Sequence, residues 1–287
     1  GHAFRFSKKS IFEFTESKRL KILEKAWLNG GLSFRACFSD ITKKISANKI
    51  VSNFIRDKIK RIVKDKHIAK ILTDFGHPFT TKRPTLNTNY FEIFNRKNVQ
   101  LVDLKTNPII KITKKGIKTK NEELKFDKII FATGYDALTG PILSLNLTGR
   151  KNIKLKKYWK NGPKTFLGIM IPNFPNFFVI SGPGSPSVLT NVPAQIEQHV
   201  EWISKFIKHL EKVGCSKVEP GIKETQNWVN EINILANKSL FMKAKNSWYK
   251  GDNIPGKPKK FIPYPAGLPQ YRDCLLYTSP SPRDLRA

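Results

Sequence analysis

Two apolar runs that end in glycine, KIIFATG at 128 to 134 and NFFVISG at 176 to 182, restrict the fold more than any other feature. A continuous apolar strand offers no polar face to water, so each is expected inside a parallel sheet. The second run passes through GPGSPS into a segment from about Val192 to Val213. There Ile196, Val200, Ile203, Phe206, Ile207 and Leu210 recur at helical spacing. Strand, loop and helix in that order read as an α/β fold.

The preceding chain has two textures. From Glu16 to Leu72 apolar residues keep a helical period, as in Leu20, Ile22, Leu23 and Trp27, then Phe54, Ile55, Ile59, Ile62 and Val63. From about Tyr90 the pattern shortens to strands: VQLVDL at 99 to 104, PIIKIT at 108 to 113 and GIKTK at 116 to 120. There is no internal repeat. With 39% hydrophobic and 11% aromatic residues, the composition is that of a globular chain and not a disordered one. No apolar run approaches bilayer length and no signal-peptide pattern is present, so a soluble protein without membrane contact is expected. Three widely spaced cysteines, Cys37, Cys215 and Cys274, suggest neither a disulfide framework nor a metal site, which fits a cytoplasmic location.

A formal charge of +30 raises the possibility of a nucleic-acid partner. Against it, the charge is spread from Lys8 to Lys260, and arginine, the preferred reader of base edges, is scarce beside lysine. Lys, Asn, Ile and Phe are abundant together, as AT-rich coding produces. Solvated lysine explains the charge, and no nucleic-acid partner is expected. A non-enzymatic basic binding module is the alternative, and salt-dependent retention on nucleic acid would support it.

Both ends are unusual. The chain starts GHAFRF without an initiator methionine, its only methionines being Met170 and Met242, so an upstream segment is expected. Residues 274 to 287, CLLYTSPSPRDLRA, contain no Lys, Asn or Ile and resemble translated sequencing-adaptor read-through. They are set aside as a non-native tail.

GPGSPS nearly matches the dinucleotide-binding turn G-x-G-x-x-G, with Gly182, Gly184 and Ser187 in the three slots. The chemistry argues against a pyrophosphate cradle. Pro183 and Pro186 lack the N–H groups such a turn supplies, and the third slot is Ser. Glu197 and Glu201 stand at the right distance for a ribose-binding acid, but inside the expected helix instead of at a strand end. By contrast ATG at 132 to 134, after an apolar strand and before Tyr135 and Asp136, reads as the strand that closes a dinucleotide-binding domain.

These stretches together resemble the Baeyer–Villiger monooxygenases of the cyclohexanone and phenylacetone monooxygenase type. The similarity runs from about Phe14 to Asp273 and includes EKAWLNGG at 24 to 31, FIRDKIKRIVKD at 54 to 65, TKRPTLNTNYFEIFNRKNVQLVDL at 81 to 104 and FATGYDALTG at 131 to 140. It continues in GPKTFLG at 162 to 168, FPNFFVISGPGSPSVLTN at 174 to 191, IEQHVEW at 196 to 202 and NSWYKGDNIPGKPKKFIPY at 246 to 264. The family's two Rossmann fingerprints and its F-x-G-x-x-x-H-x-x-x-W signature are absent, so the resemblance implies the C-terminal half only. The implied fold is α/β, part of a flavoprotein with two Rossmann-like dinucleotide-binding domains and a helical subdomain. On that pattern 1–78 is the helical subdomain of the NADPH domain, 79–134 its closing strands, and 135–273 the C-terminal part of the FAD domain.

The implied cofactors are FAD and NADPH, and the implied activity inserts one oxygen of O2 beside a ketone carbonyl, through a flavin C4a-peroxide, to give an ester or lactone. A related flavin monooxygenase that oxidises nitrogen or sulfur is the other enzyme reading. Because no pyrophosphate turn is present, this chain alone is expected not to retain FAD. Stoichiometric flavin in the purified chain would refute that.

By the same resemblance Arg83 is the active-site arginine that stabilises the peroxyflavin, and Lys82 is the lysine at the NADPH 2′-phosphate. Without it, the two read as solvated cations of a lysine-rich loop. A guanidinium suits the first role because it stays charged in a desolvated site. Trp248 matches a tryptophan on a mobile loop that closes over NADP, shaped by Pro255, Gly256 and Lys257; on residues alone it is equally a core anchor. Thr133 and Gly134 fall beside a cofactor. Ser187, Val188 and Leu189 match the substrate pocket, and Asn191 and Val192 match the flavin edge, where a helix N-terminus favours electron density on the ring. The family often carries Met at the position of Val192, so pocket shape departs here. His199 and His209 lie on the expected helix at spacings compatible with packing or exposure, and neither receives a catalytic role.

Overall fold

A computed structural model describes residues 5–278. The expected N-terminal helices form: α1 (Glu16–Asn29), α2 (Ile45–Ile62) and α3 (Lys66–Thr73). α1 stops at Gly30, whose φ of 64° lets its amide reach back to the carbonyls of Ala26 and Trp27. α3 starts where the Asp65 carboxylate accepts the amides of His67 and Ile68 at 2.8 and 2.9 Å. Leu23, Phe34, Phe38, Ile41, Val51 and Phe54 bury one side of α1 against α2. A second cluster, with Ile59, Val63 and Phe94, draws in Val99 and Leu101.

Only part of the expected sheet forms. β1 (Ile109–Ile112), β2 (Gly116–Thr119) and β3 (Glu123–Lys125) make an antiparallel meander in the order β1-β2-β3. Residues 99 to 104 are not a strand. Val99 and Leu101 spend their side chains under the helices, and the Asp103 carbonyl turns the chain by accepting the amide of Asn107 at 2.9 Å.

The two runs expected as buried parallel strands are not strands either. In 176 to 182, Asn176 and Ser181 have φ of 58° and 55°, which no extended ladder accommodates, and only an isolated bridge pairs Phe178 with Met170. In 128 to 134 no backbone amide meets a carbonyl among the described residues, and Ile130 is 90% exposed. The mixture of helix and sheet agrees with the α/β class, while the described sheet is antiparallel.

The C-terminal part contains the short helices α4 (Gly140–Ser144) and α5 (Leu155–Tyr158) and the long helices α6 (Val192–Lys212) and α7 (Ile222–Asn237), closed by α8 (Leu268–Tyr277). Its largest core joins Leu167, Ile169, Met170, Phe206, Trp228, Ile232, Tyr249, Tyr264, Tyr271 and Leu275. α6 forms as expected, but its buried face is turned from the apolar one. Gln195, His199, Phe206 and Leu210 are buried, while Ile196, Val200 and Ile207 are about 40% exposed. The reason is polar: Gln195 Nε2 donates to Ser185 Oγ at 2.7 Å, and His199 Nδ1 accepts the Ser181 amide at 3.2 Å.

The segment set aside on composition begins inside α8. Leu275 is 1% exposed and its carbonyl accepts the Trp202 indole N–H at 3.2 Å, so this residue packs on the fold, while Leu276 and Tyr277 are exposed. Residues 279 to 287 lie outside the described region. No helix among the described residues is long and apolar enough to cross a membrane. No group of metal-ligating side chains occurs among them, and the three cysteines are free.

Candidate functional site

Arg83 sits on the loop after α3, and that loop is braced from below. Asn48 on α2, 1% exposed, donates through Nδ2 to the carbonyls of Ile41 and Phe79 at 2.8 and 2.9 Å. Its Oδ1 accepts the Phe79 amide at 2.9 Å. A buried amide that satisfies one backbone unit in both directions fixes that unit, because breaking the contact leaves buried polar groups unpaired. Thr81 Oγ1 then donates to the Pro78 carbonyl at 2.7 Å and completes the turn. Asn48 carries no chemical signature in the sequence and was not among the expected residues.

From this turn Arg83 extends, largely exposed, and Nη1 donates to the carbonyl of Val188 at 2.5 Å. Residues 105 apart in sequence are thereby brought together, and the expected arginine meets the expected pocket segment. Lys82 is half-buried beside it. Neither Lys82 nor Arg83 forms an ion pair with a carboxylate among the described residues.

A further cation, Arg35, lies close enough for its charge and that of Arg83 to act on each other and on Tyr249. Burial depresses the Arg35 guanidinium below its ordinary value and the like charge of Arg83 adds to that, while its buried Nε meets no hydrogen-bond partner among the described residues. Burial also raises the Tyr249 phenol, against the pull of the two arginines. The motif GGLSFR gives no warning of this placement.

Ser187 to Leu189 form a 3-10 turn, with Ser187 buried and Val188 and Leu189 packed on the main core. Asn191 caps α6 by accepting the Ala194 amide at 3.2 Å. Val192 and Pro193 fill the first turn, where a missing N–H costs nothing. Trp248 packs half-buried on the same core, 4.6 Å from the Tyr249 ring between centroids. Thr133 and Gly134 are exposed, and among the described residues the hydrogen bond donated by Arg83 goes to Val188 and not to them. They connect to the Trp248 turn through Asp136, which pairs with Lys257.

The GPGSPS loop faces inward. The Gly184 amide donates to the Ile262 carbonyl at 2.8 Å and the Ser185 amide to the Gly182 carbonyl at 3.1 Å. The Gly184 carbonyl accepts the Trp228 indole N–H at 3.1 Å. A Cβ on Gly182 would lie 2.6 Å from the Gly168 carbonyl oxygen, and one on Gly184 would lie 2.7 Å from Thr165 Oγ1. These glycines allow chain to cross chain, and the amides of Gly184 and Ser185 are already donated within the fold. A cleft of about 290 Å³ behind the loop, bounded by Thr165, Gly184, Asn230 and Lys260, includes none of the expected site residues.

His199 is enclosed. Its Nδ1 accepts from Ser181, which leaves the proton on Nε2, 2.7 Å from the Tyr271 hydroxyl. That hydroxyl donates to the Leu167 carbonyl at 2.5 Å. Burial pushes the imidazole down to about 4, so it is neutral and structural, as its spacing allowed.

No protein-family model matches the chain. It is 41% identical to a Baeyer–Villiger monooxygenase of Pseudooceanicola batsensis over 261 residues, 90% of this chain and 47% of that protein. A cyclohexanone 1,2-monooxygenase of an Acinetobacter species is 39% identical with the same coverage. A phenazine N-monooxygenase of Lysobacter antibioticus is 36% identical over 94% of this chain and 49% of its own length. Among solved structures, cyclohexanone monooxygenase from Rhodococcus sp. Phi1 bound to NADP+ superposes with a TM-score of 0.92 at 34% identity, covering 96% of this chain and 51% of that one. The chain is therefore a homologue of the Baeyer–Villiger flavin monooxygenases across nine-tenths of its length, and spans about half the length of the curated relatives it matches.

Proposed function

We propose that this chain is part of an FAD- and NADPH-dependent monooxygenase that inserts oxygen beside a ketone carbonyl to give an ester or lactone. The observation that carries the reading is the Arg83 guanidinium held on the Val188 carbonyl, at the mouth of α6, without an acidic partner among the described residues. A cation with free donors, resting on a neutral carbonyl, suits an oxygen atom that becomes anionic during reaction. Bound flavin would supply the electrons that activate O2. Val188 and Leu189 would give the ketone an apolar wall, with Ser187 beneath. Asn191 and Val192 would present the positive end of α6 to the flavin.

Lys82 would hold the 2′-phosphate of NADPH as a point charge. Trp248 would cover the nucleotide, and Thr133 with Gly134 would lie along a cofactor where a side chain meets open space. The finer architecture we propose has two Rossmann-like domains, in which residues 128 to 134 join strands contributed from outside this chain. A cytoplasmic location accords with the free cysteines. The similarity to a phenazine N-monooxygenase supports a second reading, oxidation of a heterocyclic nitrogen, which ketone and phenazine turnover would separate.

The test uses the complete protein that contains this chain. Arg83→Ala is expected to lower ketone oxygenation by at least about a hundredfold, while NADPH still bleaches the flavin. An unaltered rate of ester formation would sink the role given to Arg83.

A further inference from the structure

The turn that carries Trp248 is built around ions. Asp252 Oδ1 accepts the Ser247 amide at 2.5 Å, and Asp252 Oδ2 pairs with Lys250 Nζ at 3.1 Å with both side chains about 10% exposed. Lys260 N donates to the Lys250 carbonyl at 3.0 Å, and Ile262 N to the Tyr249 carbonyl at 2.8 Å, which closes the turn on itself. Lys250 Nζ also donates to the Met242 carbonyl at 3.3 Å, the Trp248 and Tyr249 rings pack on the main core, and one further cation reaches out of the unit. Lys257 runs along Gly251, where a Cβ would lie 3.2 Å from its Cδ and Cε, and its ammonium pairs with Asp136.

The partners differ in burial: the Lys257 side chain is 13% exposed and the Asp136 side chain 40%. A Cβ on Gly140 would lie 2.8 Å from the Asp136 Cβ, so the small residue lets the carboxylate side chain approach α4 closely. Among the described residues this is the only ion pair between the Trp248 turn and the rest of the chain. It joins the turn to the residues directly after Thr133 and Gly134. A lysine threaded past glycine and mostly withdrawn from water has few alternative acceptors, so losing the carboxylate leaves a desolvated cation and frees the turn.

We propose that the Asp136–Lys257 pair is the clamp that positions Trp248, so that Asp136 and Lys257 act as positioning residues for the nicotinamide dinucleotide. This rests on the reading that Trp248 meets that cofactor. The clamp holds the 246–257 turn against the 133–136 segment, and a nucleotide lying along that segment would find the indole already in place. Neither residue touches the reacting atoms.

The test uses the complete protein, unmodified and as Asp136→Asn, Lys257→Met and the exchanged double variant Asp136→Lys/Lys257→Asp. Hydrogen exchange of amides 247 to 257 is measured without nucleotide, and NADP+ affinity by titration of the oxidised protein. Each single variant is expected to speed exchange in the turn and to weaken NADP+ binding by about tenfold. The exchanged pair is expected to recover much of both. Unchanged protection in both single variants overturns the inference, and so does a loosened turn with unaltered NADP+ affinity. If the unmodified protein binds no NADP+, the proposed function fails, and the exchange arm still decides whether the clamp exists.

Discussion

KIIFATG and NFFVISG are near twins in sequence, yet the chain treats them as opposites. In the second run the Val179 amide donates to the Ile169 carbonyl at 2.7 Å, the Asn176 amide to the Val218 carbonyl at 2.9 Å, and Val179 is 9% exposed. In the first, Ile130 and Phe131 are 90% and 66% exposed. An apolar run states a demand for burial; whether it is met depends on partners elsewhere in the chain. The 176–182 segment finds carbonyls, a histidine and a packed helix within this chain, and the 128–134 segment finds none among the described residues.

Four substitutions probe that contrast by urea denaturation of the 287-residue chain. Gly184 and Gly134 both have positive φ, 91° and 86°, but a Cβ meets Thr165 and Trp228 at the first and open space at the second. Gly184→Ala is expected to cost about 3 kcal/mol, from backbone conformation plus overpacking. A loss below about 1 kcal/mol would break the contrast by placing the loop in slack surroundings.

Nearly as large is the acid response of His199. Its pKa is about 4 in the fold against 6.5 unfolded, so both states are neutral above pH 6.5 and stability there is independent of this group. As pH falls through 6.5 the unfolded chain takes the proton first, and stability declines until about pH 4, where the folded imidazole also titrates. The decline amounts to about 3 kcal/mol, and His199→Gln should remove it from the difference between the two stability curves. Identical pH dependence in the two chains would contradict a buried neutral imidazole.

On the exposed side effects should be small. Gly134→Ala is expected to cost about 1 kcal/mol, the conformational component alone. Phe131→Ser should change stability by less than about 0.5 kcal/mol. A large loss from Phe131→Ser would mean the run is buried in solution and would erase the contrast.

Helices were legible because their period is written in the residues themselves: α1, α2 and α6 lie where Leu23, Phe54 or Phe206 recur. Of the strands, PIIKIT and GIKTK form β1 and β2 where expected, but the two apolar runs do not, since a strand is completed by its neighbour and positive φ at Asn176 and Ser181 cannot be read from an apolar run. Val99 and Leu101 looked like strand residues and became the underside of a helical cluster. The rejection of GPGSPS as a phosphate cradle was legible from its prolines, and the structure adds that the Gly184 and Ser185 amides are donated within the fold. At the candidate site the structure brings Arg83 onto the Val188 carbonyl, a contact that no local pattern in the sequence shows. Asn48, Arg35 and Asp136 stayed hidden because their importance comes from distance in space and not from local pattern.

The resting partner of Arg83 determines how easily that side chain can be redirected. A guanidinium tied to a carboxylate would have to abandon a charge-assisted bond before serving another anion. Arg83 instead leans on a neutral carbonyl, a contact whose net worth is about 1 to 3 kcal/mol. An arriving negative charge can outbid so weak a tether. The side chain is thus idle at little energetic depth, and one new bond is enough to reassign it.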